Sequence, residues 1–399
     1  MPIAHDIVLA APARTPFGDF GGSLREIPLT QLAVHAARAS LARSGLAEAD
    51  IDHLVYANTV PVDPDSLFGA RVISGAMGLP HTVPALTVSR GCGAGLQAIV
   101  SAAEQIISGH SRVALAGGAE NYSRAPFVLR TGRWGHKRGD QNLQDWLENT
   151  YRDPFTREYM GQTAENLARE HGHLRLDMDD WALMSQQRAG QAMASGFLAR
   201  QIEPIELRQG RVNRLMSQDE FPRPDITLAR LQQLRPSFDA QGQVTAGNSS
   251  GVTDGAAFVT VLDAQAARER GVKAEARLLD WATVGVEPRL MGMGPVPAVR
   301  QLLQRNQLSV SDIDYFEINE AFAVVNLHAE RELGLPRERT NLYGGGISIG
   351  HPPGATGLRM TMTAMHHLHD TGGRYAVMAL CIGAGQGMAL LIENLLRPH

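Results

Sequence analysis

The chain is poor in cysteine, with two in 399 residues. Two cysteines cannot staple a fold of this size, so a disulfide scaffold is excluded, and reduced thiols point to a reducing compartment, here expected to be the cytoplasm. A basic excess is also missing. The formal net charge is −4, which gives no footing for nucleic acid. No apolar run approaches the about 18 residues of a membrane span. The opening Met1-Pro2-Ile3-Ala4-His5-Asp6 lacks a basic stretch leading into an apolar one, so no signal peptide is expected. The closing Leu396-Arg397-Pro398-His399 is not a peroxisomal Ser-Lys-Leu address. What is present is 44% apolar and 20% charged residues, with length for two or three domains and large buried cores.

The chain repeats itself. Glu48-Ala49-Asp50-Ile51-Asp52-His53-Leu54-Val55 resembles Val310-Ser311-Asp312-Ile313-Asp314-Tyr315-Phe316-Glu317. Each copy follows a helix-period stretch (Leu32, Ala33, Ala36, Ala37, Leu41; Val299, Leu302, Leu303) and leads into a short apolar strand. The spacing is too long for a solenoid and implies two related α/β halves. Ala85–Val88 and 112–116 read as buried strands, and Leu96, Ile99, Val100, Ala103 and Ile107 between them recur at helical spacing. That alternation predicts βαβ units and a largely parallel sheet. Residues 122–249 break the pattern, with a basic cluster (Arg124, Arg130, Arg133, His136, Lys137, Arg138), few strand signals and a helix-period stretch from Met160 to Ala194. The cluster reads either as a solvated loop or as a cradle for a phosphate-bearing ligand. The expected division is 1–121 with 250–272, an inserted 122–249, and 273–399.

Both cysteines lie in glycine-rich turns. Cys92 follows a strand and precedes a helix, so its sulfur is expected near a helix N-terminus, where free N–H groups favour an anion and depress a thiol pKa. A buried packing cysteine is the plainer alternative. Cys381 lies between the apolar runs 375–380 and 388–392, at a hairpin tip whose free N–H groups suit an oxyanion, or as a packing cysteine at a strand end. His351 ends the run Gly344-Gly345-Gly346-Ile347-Ser348-Ile349-Gly350, just before a new helix, where it could act as a general base or be a plain loop histidine. Asn319 closes a strand at the end where open α/β sheets place ligands, and reads equally as a turn or cap residue. No Gly-Lys-Ser/Thr ending or strand-borne Gly-x-Gly-x-x-Gly occurs, and no Cys-x-x-Cys pair, so nucleotide-loop and metal readings are weak.

With these residues in hand, the chain resembles the thiolase family over its whole length. The matching stretches are Arg14-Thr15-Pro16-Phe17-Gly18, Cys92-Gly93-Ala94-Gly95-Leu96-Gln97-Ala98, Gly117-Gly118-Ala119-Glu120-Asn121-Tyr122-Ser123 and Met160-Gly161-Gln162-Thr163-Ala164-Glu165-Asn166. They continue, in order, with Thr245-Ala246-Gly247-Asn248-Ser249-Ser250-Gly251, Met293-Gly294-Pro295-Val296-Pro297-Ala298, Asn319-Glu320-Ala321-Phe322, Gly350-His351-Pro352 and Cys381-Ile382-Gly383.

The resemblance implies duplicated α/β halves in a five-layer α-β-α-β-α arrangement, with an inserted loop domain that grips coenzyme A. It implies an acyl-CoA C-acyltransferase of fatty acid metabolism that cleaves 3-ketoacyl-CoA or runs the reverse Claisen condensation. Cys92 would carry the acyl group as a thioester, and His351 would activate Cys92 or the coenzyme A thiol. Cys381 would move the proton at the α-carbon. Asn319, through a water, and His351 would form one oxyanion hole, and the N–H groups of Cys92 and Gly383 the other. Ser250 would contact the pantetheine arm, Arg223 would lie near the adenine, and Met160 and Tyr159 would line the coenzyme pocket. Coenzyme A enters as co-substrate, with no permanently bound cofactor expected. A homodimer or homotetramer is implied, with 131–149 available for tetramer contacts. Tyr159 stands where many biosynthetic members carry a histidine, Tyr343 where an asparagine is usual, Pro353 where a leucine is, and Gly91 where a larger residue is. These departures bear on the acyl group. A decarboxylating ketosynthase-like enzyme is the alternative, opposed by the second thiol. A non-catalytic acyl-CoA-binding relative is a further one, opposed by the intact set of chemical groups.

Overall fold

The structure, a computed structural model, describes residues 6–209 and 212–396. The expectations on the first five residues and on 397–399 fall outside the described residues. Nine strands build the central sheet: β1 (Ile7–Arg14), β2 (His53–Ala57), β3 (Ala85–Val88), β4 (Val113–Glu120), β5 (Thr253–Asp263), β6 (Ala276–Gly285), β7 (Tyr315–Ile318), β8 (Tyr375–Ile382) and β9 (Gln386–Asn394). Gly18–Asp19 adds a short tenth. The principal helices are α1 (Leu29–Ser44), α2 (Gly69–Met77), α3 (Ala94–Ile107), α4 (Met160–His171), α5 (Arg175–Ala194), α6 (Pro295–Arg305), α7 (Ala323–Leu333) and α8 (Pro353–Thr371).

The strand order is β7-β8-β9-β6-β1-β5-β4-β2-β3. Counted outward from the centre, β1-β5-β4-β2 on one side matches β6-β9-β8-β7 on the other. The halves join where Ile7, Val8 and Leu9 pair antiparallel with Leu278, Arg277 and Ala276. The repeated sequence pattern lands on equivalent elements: a one-turn helix at Glu48–Asp50 before β2, and another at Val310–Asp312 before β7. The sheet is mixed rather than largely parallel. Only β2–β3, β2–β4 and β7–β8 run parallel among these pairs. Parallel pairing needs a crossover, and each half returns by antiparallel strands instead: β9 leaves β8 through a tight turn, and β5 comes back from the insertion.

Strand residues alternate between two buried faces, the pattern of strands covered on both sides. One face of β1, β2, β4 and β5 packs with α1 and α2. The outer face of β7, β8 and β9 packs with α6. The remaining faces of both halves share a single core that encloses α3 and α8. The layers are therefore helix, sheet, helix, sheet, helix.

α3 and α8 cross at a contact with no space for a side chain. A Cβ on Gly357 would lie 2.4 Å from the Leu96 N, and one on Gly95 would lie 2.8 Å from the Gly357 N. A Cβ on Gly118 of β4 would stand 2.0 Å from the Gly354 carbonyl. Glycines here allow two helix starts and a strand to touch backbone to backbone.

The insertion holds α4 and α5, split by Gly172 at φ 66° rather than continuous from Met160 to Ala194. It also holds hairpins the sequence did not suggest, Ile205–Gln209 with Val212–Met216 and the small Phe127–Val128 with Gln144–Asp145. Arg14, fully buried, forks onto Asp219 at 2.6 and 2.8 Å and so fastens the insertion to the end of β1.

Gly357→Ala is expected to lower stability by about 2 kcal/mol or more, as overpacking does. Gly75→Ala, in α2 with nothing within 4 Å of the added carbon, should stabilise by up to about 1 kcal/mol. Denaturant unfolding of both variants checks the contrast, and equal effects would show that the crossing is not tight.

Candidate active site

Cys92 lies in the turn between β3 and α3. Gly91 adopts φ 51°, a left-handed backbone suited to glycine, and Gly93 caps α3. The half-buried sulfur is met by the backbone N–H of Gly383 and by its own. Burial nevertheless wins and holds the Cys92 thiol above its ordinary pKa, with those two N–H groups only partly offsetting it. This corrects the expectation of a depressed thiolate: a helix start acts on a thiol that has first been desolvated.

His351 comes from the equivalent place in the other half, just before α8. It is 8% exposed. Its backbone N–H donates to Gly251 O at 2.9 Å. The Thr356 hydroxyl donates to Pro352 O at 2.9 Å, which leaves its oxygen to accept from His351 Nδ1–H at 2.7 Å. Nε2 is then the bare nitrogen, and Asn319 Nδ2 donates to it at 3.3 Å. Burial, followed by the nearby Arg359 charge, pushes the imidazole pKa down to about 3. At neutral pH the site thus pairs a protonated thiol with a neutral base.

Asn319 follows β7 and is fully buried. Its backbone N–H donates to Ala379 O at 2.9 Å, and its Oδ1 finds no partner among the described residues. Cys381, the penultimate residue of β8, is fully buried, and burial, then Cys92, drives its thiol well above the ordinary range. The turn after it carries Gly383. A Cβ there would stand 2.9 Å from the end of the Met160 side chain, and the Gly383 N–H meets the Cys92 sulfur.

These groups surround a cavity of about 840 Å³, within the range of small-molecule sites. Cys92, His351, Gly383, Met160, Tyr159 and Ser250 line it. Asn319 and Cys381 are buried and do not themselves line it, Asn319 reaching it through His351. Arg223 is not on the lining. It is largely exposed, near Asp19 at 3.7 Å and over the Phe221 ring at 5.5 Å.

Several positioning residues escaped the sequence reading. Thr356 fixes the His351 tautomer. Glu320 is fully buried and accepts from Trp181 Nε1 (3.0 Å), Ser185 (2.6 Å) and the Ile347 N–H (3.1 Å), pinning the glycine-rich run that leads to His351. Asp153 takes the Ala384 N–H at 3.2 Å and ties the insertion to the Gly383 turn. Glu120, pushed up to about 7 by burial against the pull of its Thr59, Val60 and Gly354 bonds, holds the loop beside Tyr122. Glu320 was visible within Asn319-Glu320-Ala321-Phe322. Glu120 was likewise visible within Gly117-Gly118-Ala119-Glu120-Asn121-Tyr122-Ser123, and Thr356 bonds to neighbours four and five residues away, whereas the Asp153 tie to Ala384 spans remote parts of the chain.

A thiol, a neutral imidazole and aimed backbone N–H groups around one cavity are the equipment of thioester-forming acyl transfer. The comparisons agree. The family model described as thiolase, N-terminal domain, matches residues 7–265, and that described as thiolase, C-terminal domain, matches 272–394. The chain is 42% identical over 394 residues to the beta-ketothiolase BktB of Cupriavidus necator, covering 98% of this chain and all of that one. It is 40% identical over 395 residues to the mitochondrial 3-ketoacyl-CoA thiolase of Bos taurus, covering 99% and 100%. The human mitochondrial 3-ketoacyl-CoA thiolase solved in complex with CoA superposes with a TM-score of 0.96 at 39% identity, covering 99% of each chain. The chain belongs to the thiolase family.

Alkylation of Cys92 in the free protein by iodoacetamide should accelerate with pH along a single limb, with a midpoint above that of an ordinary thiol and no inflection near pH 6.5. A fast plateau from pH 6 to 8 would instead reveal a preformed thiolate–imidazolium pair.

Proposed function

We propose that Cys92 carries the acyl group, that His351 is its base and that Cys381 serves the α-carbon. The enzyme is an acyl-CoA C-acyltransferase acting on 3-ketoacyl-CoA and coenzyme A. The observation that carries the assignment of roles is the convergence of the Cys92 sulfur, bare His351 Nε2 and the Gly383 N–H on one cavity.

In thiolysis, the Cys92 sulfur attacks the ketone carbon while its proton passes to His351 Nε2. Proton transfer as attack proceeds suits a neutral pair, since no ion pair must be held in a desolvated site beforehand. The former ketone oxygen gains charge and is met by one set of donors, the N–H groups of Cys92 and Gly383. When the carbon–carbon bond breaks, its electrons move onto the departing acetyl thioester as an enolate. Asn319 and the now protonated His351 supply donors for that second oxygen. Cys381 gives its proton to the α-carbon, and acetyl-CoA leaves. Coenzyme A then takes the acyl group from Cys92. His351 returns its proton to the freed sulfur, and the proton of the coenzyme thiol replaces the one Cys381 gave up. In the condensation direction the same thiol must remove an α-proton. The α-carbon of a thioester is a weak acid, and a thiol held well above its usual pKa is a better-matched base for it.

Ser250 and Met160 on the lining suit the pantetheine arm, and the exposed Arg223 with the Phe221 ring beside it suits the adenine end outside the cavity. The division into 1–121 with 250–272, the coenzyme-gripping insertion 122–249 and 273–399 is supported by the return of β5 beside β4 after the insertion. A homo-oligomer, dimer or tetramer, is supported by exposed Leu67, Phe68 and Leu86 near the open edge of β3, and by Phe127, Trp134 and Leu143 on the insertion. Among the described residues no helix is long and apolar enough to cross a membrane. Two free thiols are in keeping with work in a reducing cytoplasm.

Thiolysis of acetoacetyl-CoA beside longer and branched 3-ketoacyl-CoA substrates tests the reading. Cys92→Ala should reduce kcat at least about 10⁴-fold, as loss of a catalytic nucleophile does. His351→Gln should lower kcat far more than it changes KM. A Cys92→Ala enzyme within tenfold of wild type on any of these substrates would remove Cys92 from the chemistry.

A further inference from the structure

Between β7 and α8 runs a polar ladder of which the reaction above uses one end. Alternation along β7 sends Phe316 and Ile318 into the outer core and turns Tyr315, Glu317 and Asn319 toward α8. Each of the three meets a residue of α8 or of the turn before it. Asn319 meets His351. Glu317 accepts from Arg359 Nη1 on one carboxylate oxygen and from the Tyr315 hydroxyl on the other. Tyr315 stacks on His367 with ring centres 4.4 Å apart, and His367 Nδ1 shares a hydrogen bond with the Tyr343 hydroxyl at 3.0 Å. Tyr315, Glu317 and Arg359 are fully buried.

The middle rung flanks both partners of the His351 ring. Glu317 stands two residues before Asn319 on one strand face. Arg359 is the i+3 neighbour of Thr356 on α8, and Thr356 fixes the His351 tautomer. Asn319 and Thr356 are the groups that bond the ring among the described residues. Ionisable groups face the site from other elements: Cys92 before α3, Glu120 on β4, Tyr122 and Tyr151 on the lining, Glu320 after Asn319 and Cys381 on β8. Arg359 is the one whose charge bears on the imidazole, next to burial itself.

The fold does not require an ion pair at this place. In the repeat Val55 answers to Glu317, and Val100 lies eight residues after Cys92 as Arg359 lies eight after His351. Both valines are buried in the shared core. An apolar pair serves the half that carries the thiol, and a buried ion pair stands in the half that carries the base. A buried ion pair gains little over apolar side chains of similar volume. Arg359 Nε and Nη2 also find no partner among the described residues.

We propose that Glu317 and Arg359 are positioning residues for the base: they lock α8 to β7 beside the point where His351 meets Asn319, and they hold a fixed positive charge near its ring. Arg359 is not on the cavity lining and acts through His351. Its charge disfavours the imidazolium. His351 therefore rests neutral, and after taking the Cys92 proton it returns that proton readily when coenzyme A frees the sulfur. The proposal rests on the reading of His351 as the base.

The test gives the middle rung the apolar character of the other half, Arg359→Met with Glu317→Leu and Tyr315→Phe, so that no buried polar group is left without its partner. Thiolysis of the fastest-cleaved member of the 3-ketoacyl-CoA series and iodoacetamide alkylation of Cys92 against pH are measured on the same variants. The triple variant is expected to fold and to lose at least about tenfold in kcat, with KM changed by less than about threefold. Its Cys92 should alkylate faster than wild type between about pH 6 and 7, because without the guanidinium His351 accepts the thiol proton more readily. Arg359→Lys keeps the charge and should retain the wild-type alkylation profile and recover part of kcat. An unchanged kcat overturns the proposal. A lower kcat with an unchanged alkylation profile, the mark of a structural role alone, also overturns it. So does a triple variant that fails to fold, since the pair would then be a requirement of the scaffold. His351→Gln within about tenfold of wild type would instead overturn the reading of His351 as the base, so the two failures are distinct.

Discussion

The structure depends on the side-chain-free crossing of α3 and α8. Helix axes are ordinarily kept apart by the residues between them. Here Gly95, Gly354 and Gly357 remove those residues, and backbone meets backbone. Cys92 precedes the first of these helices and His351 the second. Bringing the two helix starts together is what makes a thiol and an imidazole from distant parts of the chain share a cavity. A methyl group at the crossing would separate them without touching either.

The same enclosure sets the protonation states. Burial lifts Cys92, lifts Cys381 further and pushes His351 down to about 3. A site of this kind rests uncharged and, on the proposed reaction, develops charge only as bonds change, beside backbone N–H groups and Asn319. Duplication explains the economy of the arrangement. The halves supply equivalent scaffolding with different groups upon it: Cys92 before α3 and His351 before α8, Asn58 after β2 and Asn319 after β7. Asn58 became structural, donating to Glu120 at 3.0 Å, whereas Asn319 faces the histidine.

Much of this was legible in the chain. The Glu48 and Val310 repeats marked the duplication, the glycines around Cys92 marked a strand–turn–helix, and the pair of apolar runs about Cys381 marked the hairpin. The legible features are local, because periodicity and turn chemistry act over a few residues. The features that escaped are set by distant partners. Strand direction depended on the return of β5 after the insertion. The Cys92 pKa depended on how much protein closes over the sulfur, which outweighed the helix start. Glu320 and Asp153 act through hydrogen bonds to groups brought near by folding, and no spacing rule points to them.

The most direct test of the central claim is peptide mapping by mass spectrometry after brief exposure of the intact protein to acetyl-CoA. A single acetyl group on the peptide containing Cys92, lost on addition of coenzyme A, is the predicted result. Acetyl on the Cys381 peptide, or none on either while thiolysis proceeds, would contradict an acyl-enzyme built at the α3–α8 crossing.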